Sequence, residues 1–514
     1  MEIQRVLISD SCDPRCAEIL TKAGCKVTVK TDHTPQELVE NIKNFDALVV
    51  RSATKVTAAV INAAPDLKVI GRAGTGVDNI DCETATKNGV LVINAPGGNT
   101  LSAAEMTCAL IVSLSRDIAA ACASLKAGRW DRKNFMSNEL NGKTIGIVGL
   151  GRIGREVATR MQSFGMRTIG FDPIIPAEAA AEFGVEAMSL DDLWPQCDYI
   201  TVHTPLIPQT RDLINSKTLA KCKKGVKIVN CARGGIVNEN DLLAALESGQ
   251  ASGAGFDVFE EEPPKNTAFI AHPKVICTPH LGANTKEAQA RVAIEIAEQF
   301  VALRDDRRIA GAVNAPLLAQ SQAAENRLIA QLATDLGKVA GALVSGSSAI
   351  GITMETCGDR LAAQAKFLSS TVTIGVLRSL GENANLINFG GLAEKRGVSY
   401  SHQNASICCG FDECIRITVK GDSSSHVLEG TPGQVSILRM VDQVKLDGGF
   451  ALTGKLLVAE GPANSLPAVV QSVAALGKIT SVTDCGKVYL IKSDICAKST
   501  AAPGPLSRWA RVEF

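Results

Sequence analysis

Short runs of apolar, largely β-branched residues recur along the first hundred positions, separated by stretches with helical patterning. Val6-Leu7-Ile8-Ser9, Ala47 to Arg51, Leu67 to Gly71 and Val90 to Asn94 read as strands, and Pro14 to Lys22 as a helix. Runs that are apolar at successive positions, rather than alternating, predict a parallel sheet covered on both faces. Residues 101–129 then carry one long helical pattern, broken by Gly128.

A second α/β unit begins near residue 141. Thr144 to Val148 is a strand, a glycine-rich turn at 149–154 opens a helix through Phe164, and Arg167 to Phe171 is the next strand. Tyr199 to His203, Val226 to Asn230, Gly253 to Val258 and Val275 to Thr278 continue the series, with helical stretches between them. This pattern predicts a doubly wound parallel sheet. Thr285 to Arg304 is another long helix, and two long helices bracketing the block predict its insertion into the first domain. The expected division is 1–97 and 288–314 for the outer domain and 98–287 for the inserted one.

Beyond Asn314 the texture changes. Residues 315–452 are rich in Ala, Gly and Ser and read as an intervening domain without a catalytic pattern. Residues 453–497 hold a small βαββ unit: strands Lys455 to Ala459, Ile479 to Thr483 and Lys487 to Ile491, and a helix from Asn464 to Leu476. The stretch 498–514 mixes Pro, Ala, Arg and one Trp without a period and is expected to be a mobile tail.

The length of 514 residues is consistent with roughly three or four domains, and the 46% hydrophobic and 21% charged content with a folded chain. Lys plus Arg and Asp plus Glu are both 53, so no basic excess argues for nucleic acid or an anionic membrane as partner. The 16 cysteines follow no disulfide framework, and Cys408, Cys409 and Cys414 have no histidine at a finger-like distance, so no metal site is expected. The N-terminus runs directly into a strand pattern, with neither a secretory nor a transit composition, and no apolar run nears the ~20 residues of a membrane span. A cytoplasmic protein is expected.

Gly149-Leu150-Gly151-Arg152-Ile153-Gly154 follows an apolar strand and precedes a helix, which is the context a dinucleotide turn requires. Its glycines serve a tight turn, close approach of the pyrophosphate and close helix–strand packing, and the helix start supplies free N–H groups. Asp172 lies at the end of the next strand, where a carboxylate accepts from the ribose hydroxyls and repels a 2′-phosphate. It favours NAD over NADP.

Three further segments fall at strand ends, where a doubly wound sheet lines its ligand crevice: Asn230 to Gly235, Asp257 to Pro264 and Thr278 to Gly282. Transfer of hydride from a hydroxy acid needs a base for the hydroxyl proton and a cation for the carboxylate, and it gains from a carboxylate that orients the base. His280, Arg233 and Glu262 supply one of each. Spacing alone leaves the choice among Glu260, Glu261 and Glu262 open, and each residue taken singly reads equally well as a capping or solvated group.

Over residues 3 to about 313 the chain resembles the D-isomer-specific 2-hydroxyacid dehydrogenase family. The resemblance rests on Val49 to Thr57, Gly71 to Asn79, Asn141 to Thr144, Gly149 to Phe164, Val202 to Leu206, Cys231 to Val237 and His280 to Ala283. It implies an NAD domain inserted into a flavodoxin-like substrate domain, followed by α+β domains of regulatory type, the last of them an ACT-like module. It implies Arg233 as the cation for the carboxylate and keto group, His280 as the acid/base and Glu262 as its partner. Thr75, Gly149, Gly151, Arg152, Ile153, Gly154, Asp172, Thr204, Cys231, Ala232, Asp257, Gly282 and Ala283 would line the NAD site. Backbone N–H groups around Gly74 and Gly76 would meet the substrate carboxylate, and Arg51 and Arg132 would bind a substrate phosphate, which suits their planar donor forks.

The implied activity is oxidation of 3-phospho-D-glycerate to 3-phosphohydroxypyruvate, the first step of the phosphorylated route to L-serine. The rivals are a hydroxypyruvate or glyoxylate reductase on the same fold and an NAD-sensing, corepressor-like binding protein. The family also implies a homodimer or homotetramer, with the apolar faces of 101–125 as the candidate contact.

Overall fold

The computed structural model describes residues 1–404, 410–463, 465–474, 478–493, 506 and 508–514. Its first sheet is parallel and holds β1 (Arg5–Ile8), β2 (Lys26–Val29), β3 (Ala47–Val50), β4 (Val69–Arg72) and β5 (Leu91–Asn94), in the order β2-β1-β3-β4-β5. All four residues of β3 are buried, because helices cover both faces of the sheet. The hydrophobic pattern does not predict β2. Its burial is only partial at Val27 and Thr28, as befits an edge strand without an apolar run.

The second sheet is also parallel. It contains β6 (Thr144–Val148), β7 (Arg167–Phe171), β8 (Glu186–Ala187), β9 (Tyr199–Val202), β10 (Val226–Asn230), β11 (Ala251–Phe256) and β12 (Val275–Cys277). The order β12-β11-β10-β9-β6-β7-β8 reverses direction between β9 and β6, and ligands of such sheets lie outside the carboxyl ends at that reversal. The turn 149–154 leaves β6 there. The segments 203–204, 231–235, 257–262 and 278–282 leave β9, β10, β11 and β12 at the same end.

One long helix was expected over 101–129; two are present. Thr100–Ser115 and Ile118–Lys126 are bent 66° apart, and the break is at Asp117, whose φ of 49° lies in the left-handed region rather than the helical one. The helix Lys286–Arg304 returns the chain to the first sheet, burying Ala293, Ile296, Ala297 and Phe300 against that sheet's core. Gly311 closes the return, accepting from the Asn94 N–H at 3.0 Å.

The third sheet has six strands: β13 (Ile350–Cys357), β14 (Val398–Asn404), β15 (Cys414–Lys420), β16 (Ser425–Thr431), β17 (Ile437–Val441) and β18 (Val444–Ala451). Burial alternates along β13, and its inward face packs on the helices Arg327–Leu343 and Ala365–Ser379.

The fourth sheet is antiparallel: β19 (Lys455–Glu460), β20 (Ile479–Cys485), β21 (Val488–Ser493) and β22 (Arg508–Glu513), in the order β20-β21-β19-β22, with the helix Leu466–Ala474 after β19. β22 corrects the expectation of a mobile tail over 498–514 for those six residues. Val512 is buried beside the long helix Arg327–Leu343, and Lys338 Nζ on that helix donates to the Glu513 carbonyl at 2.9 Å. The rest of the expected tail, apart from Leu506 and Phe514, lies outside the described residues.

Candidate active site

The cofactor turn is built by steric exclusion. Gly149 has φ +98°, and a Cβ there would lie 2.6 Å from the His203 carbonyl oxygen. A Cβ at Gly154 would lie 2.1 Å from the Gly149 carbonyl oxygen, whereas a Cβ at Gly151 would meet nothing within 4 Å. The protein fills two sides of the turn and leaves the third, at the start of the helix Arg152–Ser163, for a ligand. Arg152 is exposed there and Ile153 is half-buried. Asp172 stands beside the turn, one carboxylate oxygen accepting from Leu150 N–H at 2.8 Å and the other from Ile174 N–H at 2.8 Å.

Across the crevice the Thr204 hydroxyl oxygen is buried without a protein partner. An unpaired buried hydroxyl costs free energy unless something bonds to it, so this group also fits a bound polar cofactor. Burial pushes the pKa of the Cys231 thiol up to about 12. The Ala232 N–H is taken by Asn230 Oδ1 at 3.0 Å, and Ala283 is half-buried. Thr75 points its hydroxyl at Asn99 Oδ1, 2.6 Å away, at the crossing from the outer to the inserted unit.

Exchanging Gly154 for alanine is expected to open this turn, since the new methyl and the Gly149 carbonyl cannot share that space. Fluorescence titration should show NADH affinity falling by about tenfold or more.

The catalytic candidates meet in a cavity of about 730 Å³ lined by Lys55, Arg72, Asp78, Arg233, Glu262 and His280, among others. His280 Nδ1 is 2.7 Å from Glu262 Oε2. The other two glutamates of the run point elsewhere: Glu260 exchanges backbone-to-carboxylate hydrogen bonds with Glu239, and Glu261 pairs with Lys265.

Asp257 shapes the turn that presents the histidine. It is fully buried, and its carboxylate accepts from Thr278 Oγ1 at 2.6 Å and from the Leu281 and Gly282 N–H groups at 2.7 Å each. The His280 N–H in turn donates to the Asp257 carbonyl at 2.9 Å. The carboxylate and carbonyl of Asp257 thus hold the 278–282 turn and His280 in place, while its N–H donates to the Asn230 carbonyl at 3.0 Å.

Arg233 enters from the end of β10, with Nη1 donating to the Ala232 carbonyl at 2.6 Å and Nε 3.2 Å from Asp78 Oδ2. Beneath it runs the 74–76 loop, close enough that a Cβ at Gly76 would lie 2.0 Å from Arg233 Nη2. The Gly74 N–H is occupied by the Arg72 carbonyl at 2.8 Å.

Two expected cations are not on this cavity. Arg51 Nη1 donates to the Ser11 carbonyl at 2.8 Å, and its N–H is held by the buried Asp10 carboxylate at 2.6 Å, so its head turns away toward the β1 loop. Arg132 is exposed on a single 3-10 turn, Arg132–Asn134. The cations the sequence reading passed over, Arg72 and Lys55, are on the wall. Arg72 Nε donates to Asn79 Oδ1 at 3.1 Å, and burial, together with the nearby Arg233 charge, lowers its pKa. Arg72 ends β4 at the same edge of the first sheet where Arg51 follows β3, so its place at a strand end is the signal that points to it.

A family profile of the D-isomer specific 2-hydroxyacid dehydrogenase NAD binding domain matches residues 108–282. The chain belongs to the D-isomer-specific 2-hydroxyacid dehydrogenase family. Within that family it is similar to D-3-phosphoglycerate dehydrogenases, and the profile of the D-3-phosphoglycerate dehydrogenase intervening domain matches residues 327–443. The chain is 52% identical to D-3-phosphoglycerate dehydrogenase of Homo sapiens over 418 residues, 80% of this chain and 78% of that one. It is 41% identical to that of Bacillus subtilis over 428 residues, 83% and 81% of the two chains. Among solved structures, a glyoxylate reductase from Paecilomyes thermophila superposes with a TM-score of 0.56 at 29% identity, covering 61% of this chain and 99% of that one. D-lactate dehydrogenase from Aquifex aeolicus, complexed with NAD and lactic acid, gives 0.52 at 27% identity, covering 59% and 96%.

Proposed function

We propose that the chain oxidises 3-phospho-D-glycerate to 3-phosphohydroxypyruvate with NAD. The observation that carries this reading is the convergence of Arg233, His280 and Glu262 on one cavity at the carboxyl edge of the NAD-binding domain, in a chain whose relatives are D-3-phosphoglycerate dehydrogenases. A bound NAD would supply the acceptor for the hydride that leaves the substrate C2. Gly149, Gly151, Gly154, Asp172 and Thr204 are the residues that would hold it.

The guanidinium of Arg233 binds the substrate carboxylate through its planar fork. Because Nδ1 of His280 faces Glu262, Nε2 is the nitrogen left to take the C2 hydroxyl proton. Glu262 orients the ring and stabilises the imidazolium that results. Arg72 and Lys55 are the cations that remain for the phosphate. Closing the outer domain over the NAD domain would exclude water from the reacting atoms.

The test is NADH oxidation followed at 340 nm with 3-phosphohydroxypyruvate, beside hydroxypyruvate and glyoxylate. The expected result is a strong preference for the phosphorylated acid. Equal or better rates with the unphosphorylated acids would move the chain to the reductase reading.

A homo-oligomer fits this reading. Leu101, Ile118, Leu125, Trp130 and Met136 expose large apolar side chains along and just beyond the two bent helices, a surface that a second copy would cover. No single helix among the described residues is long and apolar enough to cross a membrane. A cytoplasmic setting, with a small-molecule substrate and no nucleic-acid or membrane partner, completes the proposal.

A further inference from the structure

Asp78 and Arg233 belong to different halves of the molecule. Asp78 follows the glycine loop after β4 of the first sheet, and Arg233 follows β10 of the second. Their ion pair, Nε to Oδ2 at 3.2 Å, crosses the cleft between them. Both groups lie against the backbone of Gly76: a Cβ built there would come 2.0 Å from Arg233 Nη2 and 2.6 Å from Asp78 Oδ2. A carboxylate of the protein thus sits on the cation, and over the loop, that the proposed function assigns to the carboxylate of the substrate.

The surroundings make this pairing understandable. Arg72 and Lys55 line the same cavity, and Arg72 is near enough to Arg233 for each charge to disfavour the other. An empty cleft would leave these cations facing one another. Asp78 offsets that repulsion, yet its side chain is 72% exposed, against 31% for Arg233. Pairs of this exposure hold weakly and exchange readily.

We propose that Asp78 is a placeholder carboxylate: it occupies Arg233 while the cleft is empty and is displaced by the carboxylate of the incoming substrate. The inference rests on Arg233 being the carboxylate-binding residue of the proposed function. Binding then exchanges one carboxylate for another on the same guanidinium, so part of the substrate's interaction energy goes into releasing Asp78. It also severs one contact across the two walls when a ligand arrives, which couples occupancy to their relative freedom.

The test compares KM and kcat for wild type, Asp78→Asn and Asp78→Glu with 3-phosphohydroxypyruvate, and the dissociation constant of 3-phospho-D-glycerate from the NADH-loaded enzyme by calorimetry. The amide keeps the shape but gives up the charge, so KM and the dissociation constant should both fall by about two- to fivefold. The glutamate variant should restore them toward wild type. Unchanged or higher values in Asp78→Asn, or a drop in kcat without a drop in KM, would overturn the proposal and make Asp78 a strut for Arg233. Should wild type reject the phosphorylated acid, the same comparison is made with glyoxylate. That outcome sinks the substrate assignment, while the placeholder is still judged on the carboxylate every 2-oxo acid carries.

Discussion

Replacing His280 with alanine is expected to lower turnover by about 10²- to 10⁴-fold, the usual contribution of a positioned acid/base. NADH should still bind, because the fingerprint turn and Asp172 lie on other strands. The imidazole's neighbour Glu262 is bonded to Nδ1 at 2.7 Å, so it orients the ring rather than standing on the Nε2 side as a second base. Glu262→Gln should cost less than His280→Ala, since an amide can still orient the ring but cannot stabilise its cation. Steady-state kinetics with 3-phosphohydroxypyruvate, paired with NADH fluorescence titration, separates the two effects. Turnover within a few-fold of wild type for His280→Ala would remove His280 from the mechanism.

Arg233→Ala is the second large effect. A charge-assisted, forked contact to a carboxylate in a partly enclosed site is worth more than a neutral hydrogen bond, and kcat/KM should fall by about 10²- to 10³-fold. Arg233→Lys is the sharper variant. It keeps the charge but loses the planar fork, and a single Nζ cannot reach the Ala232 carbonyl and Asp78 together, as Nη1 and Nε of the arginine do. We expect Arg233→Lys to recover only a small part of the loss. Near-complete recovery would mean that a point charge suffices and that bidentate binding of the carboxylate is not the source of the rate. Both variants should unfold near the wild-type temperature, because Arg233 lines the cleft rather than a core.

How far the chain itself announces this site depends on which contacts a residue needs. The strand Thr144–Val148, the glycine turn and the following helix were readable because each is a local pattern: buried apolar residues in a run, then glycines at the spacing one turn demands. Glu262 was ambiguous beside Glu260 and Glu261. Its pairing depends on how the loop after β11 runs against the turn after β12, 18 residues away. Arg51 follows β3 and Arg72 ends β4, adjacent parallel strands, and as sequence the two are equivalent. Asp10 and Ser11, about 40 residues earlier, capture the first and leave the second on the cavity. Likewise Arg508–Glu513 carries no strong strand signal of its own and becomes a strand by pairing with β19 and packing on the helix Arg327–Leu343.

By itself, then, the sequence determined the two parallel sheets, the glycine turn with Asp172 at the end of the next strand, and the strand-end positions of Arg233 and His280. All of these rest on short-range periodicity and on residue types that a single turn or strand end requires. Which glutamate meets the histidine, which arginine faces the cleft, where Asp78 lies in it and how the last strand closes its sheet were decided only by tertiary structure. The reason is physical: a side chain at the end of a strand takes its partner from whichever loop the fold brings beside it, and the sequence spacing of those loops says nothing of their distance.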